Sequence, residues 1–74
     1  MSTPSAPAWS KPYHGVQHLG CYGPRNHWCT VEDYGTFADL SCWFPGCGFY
    51  PKHSKHSTAA EARAAGERYL AEHQ

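Results

Sequence analysis

The sequence predicts a small α+β domain: a β-hairpin, a cysteine knuckle and a C-terminal helix behind a flexible N-terminal arm. Three observations predict it. Apolar and polar residues alternate on either side of a Tyr34-Gly35 turn, Cys42 and Cys47 bracket Pro45-Gly46, and the chain ends in an alanine-rich run without proline. At 74 residues the chain allows one domain and is too short to bury a self-sufficient core. Its 4 Cys and 6 His point to metal or disulfide chemistry for the missing cohesion.

The elements follow in order. Residues 1–12 alternate Pro, Ser, Ala and Thr, a composition that cannot offset its own ordering entropy and reads as an arm; residues 13–74 form the single domain. Trp9 and Tyr13 are the exceptions, with two fates open: docking on the domain or a partner, or staying with a solvated tail. From Tyr13 to Asn26 the glycines and Pro24 give a loop with at most a short strand near Val16 to Leu19. The hairpin runs from His27 to Cys42. With Tyr34 and Gly35 as central turn residues, His27 faces Cys42 and Cys29 faces Leu40, and His27, Cys29, Val31, Ala38, Leu40 and Cys42 share one face. Trp28, Thr30, Phe37, Asp39 and Ser41 take the other. After the knuckle, Lys52, His53, Lys55 and His56 read as a polar loop. Thr58 and Glu61 have the spacing of a capping box and start a helix over Ala59 to His73, whose inward stripe is Ala59, Ala62, Gly66, Tyr69, Leu70 and His73.

The start of the chain has three prolines among its first twelve residues and no apolar h-region, unlike a secretory leader, so the expected location is the cytoplasm. In a reducing compartment cysteines at this density hold metal more often than they form disulfides. The expected cofactor is therefore one structural zinc ion, bound by Cys29, Cys42, Cys47 and His73: the hairpin puts the first two on one face and the helix stripe turns His73 towards it. Two other ligand sets remain open, the four cysteines including Cys21, and a local set of Cys42, Cys47, His53 and His56. His73 has a further ordinary role as a packing residue or dipole partner at a helix end.

A cysteine knuckle after a hairpin, then a helix ending in histidine, resembles the ββα zinc-finger superfamily. Cys42, Cys47 and His73 carry the resemblance, which covers roughly two thirds of the chain from His27 onward. Short zinc-finger-like proteins of actinobacteria and their phages are similar in the cysteine pair, the Thr-Ala-Ala-Glu-Ala helix start and the terminal histidine. The chain departs from the finger pattern where Tyr69 stands in place of a first helical histidine, so the resemblance implies that Cys29 or another residue completes the site.

Composition narrows the function. Six basic and six acidic residues leave a formal net charge of zero, without the field that draws a protein to nucleic acid, and the chain holds no apolar stretch long enough for a membrane helix. A four-ligand zinc has no open position for catalysis, and no H-E-x-x-H or deaminase motif occurs, so no enzyme activity is expected. The expected function is a zinc-binding adaptor or regulator, such as a phage factor acting on host machinery, that docks on another protein. Trp43 and Phe44, then Trp28, are its candidate anchors. Nucleic-acid binding is the alternative, with Trp43, Phe44, Phe49 and Tyr50 near Lys52, His53, Lys55 and His56 as a stacking platform; packing into the core is the ordinary role of these aromatics.

Overall fold

A computed structural model of the chain describes residues 9–20 and 25–73. Its four strands, β1 (Val16–Gly20), β2 (Trp28–Asp33), β3 (Ala38–Trp43) and β4 (Lys52–His56), form one antiparallel sheet in sequential order. One helix, α1 (Ala59–Glu72), packs on one face of it. The architecture is thus a four-stranded meander under a helix, in place of a two-stranded ββα unit.

The β2–β3 turn is centred one residue later than the sequence predicts. Tyr34 N donates to Phe37 O at 2.9 Å and their rings stack at 4.7 Å, which makes Tyr34 the last paired residue. Asp33 Oδ1 accepts from Gly35 N at 2.9 Å, and Gly35 takes φ 87 at the first central position, a conformation open to glycine. Moving the turn centre by one shifts every partner by two, so Cys29 faces Cys42 rather than Leu40, while each side chain keeps its face. Cys29, Val31, Ala38, Leu40 and Cys42 are accordingly buried beneath the helix.

Before β1 the chain folds back on itself. Tyr13 and Val16 exchange both backbone hydrogen bonds at 2.9 Å across His14 (φ 50) and Gly15 (φ 77), and Ser10 accepts from His18 N and donates its own N–H to His18 O. This brings Trp9 onto the helix, where its Nε1 donates to Glu67 Oε2 at 2.9 Å. Of the two fates open to Trp9, docking is the one adopted; residues 1–8 of the arm lie outside the described residues.

The segment that reads as a polar loop is the fourth strand, paired along its length from Ala38↔His56 to Cys42↔Lys52. Its side chains are exposed apart from the half-buried His56, so no apolar alternation marks it; backbone pairing makes the strand and its two lysines suit an edge.

Helix α1 starts as expected, with Thr58 Oγ1 accepting from Glu61 N at 3.1 Å. It buries Ala62, Gly66 and Leu70, and among the described residues Ala62 and Leu70 make the apolar core with Leu19 and the five buried apolar residues of β2 and β3. Among the described residues no helix is long and apolar enough to cross a membrane. The closest approach is at Gly66, where an added Cβ would lie 3.1 Å from Trp9 Cη2, 3.2 Å from Leu40 Cδ1 and 3.4 Å from Cys29 Cβ. A Gly66→Leu substitution is therefore expected to cost about 1–3 kcal/mol in urea unfolding, whereas Ala64→Leu on the exposed side of the same turn stays within about 0.5 kcal/mol.

Candidate functional site

The inner face gathers two of the four expected zinc ligands and separates the others. Tyr34 and Phe37 are a hydrogen-bonded pair, and such pairs alternate along an antiparallel ladder. Cys29 and Cys42, odd-numbered steps away, are therefore a non-hydrogen-bonded pair with the closer side-chain spacing. Cys29 is fully buried and Cys42 is 8% exposed. The Cys29 thiol has one proton and two acceptors in reach, the Cys42 sulfur and Gly66 O at 3.6 Å. Holding that proton for its neighbour, together with burial, pushes the Cys29 thiol far up. The same hydrogen bond lowers Cys42, with burial opposing and the Lys52 charge assisting.

Cys47 and His73 have other partners. Cys47 Sγ donates to Gly48 O at 3.7 Å within its own loop. His73, the exposed C-cap of α1, stacks on His27 at 4.7 Å with the rings 8° apart, and Tyr69 packs against it at 4.6 Å. Among the described residues no group of three or more His, Cys, Asp or Glu is placed to hold a metal ion. This overturns the expectation of a structural zinc on Cys29, Cys42, Cys47 and His73, and with it the zinc-finger resemblance, the knuckle as a metal site and the zinc-dependent adaptor. The physical reason lies in the packing: two cysteines are buried in the core, Cys29 against Gly66, the third turns back on its loop, and the imidazole is occupied as a stacking ring. The local alternative fails too, because His53 and His56 belong to β4, where their ring nitrogens approach Ser41, Asp39 and Ser54. Cys21 lies outside the described residues.

Tyr69 ties this region together. Its hydroxyl donates to Trp43 O at 3.2 Å, fixing the last turns of α1 to the end of β3. Burial first, then the neighbouring Cys42, Cys29 and Cys47, hold its phenol above the ordinary range.

The outer face of the sheet carries a different set. Trp28 and Trp43 are register partners whose rings stack at 4.9 Å and 12°, and His18 leans on Trp28 at 5.8 Å. Beside them, His53 Nδ1 lies 3.0 Å from both Ser41 Oγ and Asp39 Oδ2. These are the residue types of a hydrolytic triad, but one ring nitrogen serves both neighbours. A proton taken from serine at Nδ1 leaves no N–H there for the carboxylate, whereas a triad places the two partners on opposite nitrogens. The sequence offers no signal for this contact, because it depends on β4.

Between β3 and β4 the loop turns twice, with Cys47 N donating to Phe44 O at 3.2 Å and Tyr50 N to Cys47 O at 3.1 Å. Gly46 and Gly48 take φ 87 and 64. The loop presents Phe44, Phe49 and Tyr50, which are 37%, 92% and 84% exposed. Core packing, the ordinary role for these aromatics, is thus not what Phe49 and Tyr50 do.

Replacing Tyr69 by Phe removes the bond to Trp43 O and is expected to cost about 0.5–1.5 kcal/mol at neutral pH. A phenol raised in the folded state stabilises below its unfolded pKa and loses that contribution as pH rises through the folded value. Urea unfolding from about pH 8 to about pH 11 is therefore expected to show the wild-type advantage over Tyr69→Phe shrinking as the phenol ionises.

No family model matches the chain, and neither the curated proteins nor the solved structures contain a significant match to it.

Proposed function

We propose that this chain is a metal-independent, non-enzymatic module that docks on another protein through the aromatic β3–β4 loop and the neighbouring end of the outer sheet face. The observation that carries the reading is the exposure of Phe49 and Tyr50, at 92% and 84%, in the loop that follows Trp43 of the Trp28–Trp43 stack. Two adjacent large aromatics in water have no role in the core, and aromatic anchors of this kind supply most of the binding energy of protein interfaces. The loop offers them at low ordering cost, since two turns already fix its path.

Charge favours a protein over a nucleic acid. The outer face sets Glu32 and Asp39 beside Lys55 and His53, and Lys55 Nζ sits 4.5 Å over the Phe37 ring. Such a face neutralises few phosphates. Three free cysteines among the described residues agree with a reducing compartment, and the cytoplasm is part of this proposal.

The test is capture of a partner from a lysate of the source cells, with and without nuclease, using wild type and a Phe49→Ala/Tyr50→Ala double variant. Both side chains are in solvent, so the variant is expected to keep its unfolding midpoint and to lose the partner, with binding weakened at least tenfold. Nuclease-sensitive capture, or oligonucleotide binding with a steep salt slope, would replace this reading with the nucleic-acid one.

A further inference from the structure

We propose that Cys29 and Cys42 form a reversible dithiol–disulfide couple, a modification site at which a peroxide links the two central strands under helix α1. This is independent of the docking reading and rests on the register of the β2–β3 ladder.

Two directly opposed cysteines can be joined without backbone movement only if their Cα atoms fall within about 4.4–6.8 Å and their Cβ atoms approach each other. Residues opposed at a non-hydrogen-bonded position have Cα atoms about 4.5 Å apart and side chains leaning together. Cys29 and Cys42 hold such a position, and both are buried on the same face of the sheet. The other described thiol, Cys47, is engaged with Gly48 O in the loop beyond β3.

Access is unequal and sets the order of events. Cys29 is sealed beneath Gly66, whereas Cys42 keeps 8% of its surface exposed, beside the edge strand and two residues before the Phe44–Tyr50 loop. A water-sized oxidant therefore meets Cys42 first. The Cys42 sulfur attacks one peroxide oxygen and the O–O bond breaks. Cys42 becomes a sulfenic acid, and the departing oxygen takes the thiol proton and leaves as an alcohol, or as water from hydrogen peroxide. Cys29 sulfur then attacks Cys42 sulfur, the S–S bond forms, the S–O bond breaks, and hydroxide leaves as water with the Cys29 proton. Two electrons pass from the thiols to the peroxide, and an added dithiol returns them through exchange.

The link would also act on its surroundings. Cys29 loses the proton it can offer to Gly66 O, and the crosslink sits one register step from the Trp28–Trp43 pair, pinning the strands that carry that stack.

The experiment treats the reduced full chain with hydrogen peroxide and follows intact mass, then digests with chymotrypsin, whose cuts after Tyr34 and Trp43 separate Cys29, Cys42 and Cys47. The expected result is a loss of about 2 Da, restored by dithiothreitol, with the link mapped to Cys29–Cys42. Cys47→Ser still forms it, and Cys29→Ser stops at a Cys42 sulfenic acid that dimedone traps. A link involving Cys21 or Cys47, direct progress of wild type to sulfinic acid, or no oxidation would overturn the proposal. The wild-type map and Cys47→Ser decide even where Cys29→Ser fails to fold.

Discussion

Helix α1 lies on the sheet at a distance set by one residue without a side chain. At Gly66 the helix backbone meets Trp9, Leu40 and Cys29, the first two so close that a single added carbon would crowd them. That approach lets a helix with only Leu70 as a buried large side chain cover six buried apolar residues, Leu19 and five on the two central strands. Small residues at a crossing bring backbone and sheet into dispersion contact where bulk would hold them apart. Trp9 packs against the core beside Gly66, bonded to Glu67, so the segment before β1 contributes apolar area that the helix itself lacks.

The same packing explains what became of the cysteines. A sulfur serves as a metal ligand or as a compact apolar atom, and the side chains around it decide which. Cys29 lies where the helix comes closest, its thiol 3.6 Å from Gly66 O, and Cys42 is buried opposite it across the ladder. His73 sits at the end of the helix, where its ring finds His27 and Tyr69. Chemistry is left to the sulfur pair on one face and to the aromatics on the other, with β3 supplying Cys42 inward and Ser41 and Trp43 outward.

Much of this was legible in the residues. The N-cap at Thr58, the buried small residues of the helix and the division of the hairpin into faces follow from sequence patterns that the fold obeys. What the sequence hid depends on backbone geometry or distant pairing. The turn centre moved because the Asp33 side chain captures Gly35 N, a choice that alternation alone does not make. Strand β4 carries no apolar residue, so nothing in its composition separates it from a loop. The zinc reading failed because spacing places two cysteines on a face without saying whether a third and a fourth donor can reach them.

The central claim is that side-chain packing, with no metal ion, holds this small domain together. The most direct measurement is thermal unfolding of the full chain by near-ultraviolet circular dichroism, before and after dialysis against a strong chelator under reducing conditions. Packing around Gly66 gives the same spectrum and the same midpoint in both samples. Loss of the aromatic signal or a large fall in the midpoint on chelation, reversed by added zinc, would contradict it.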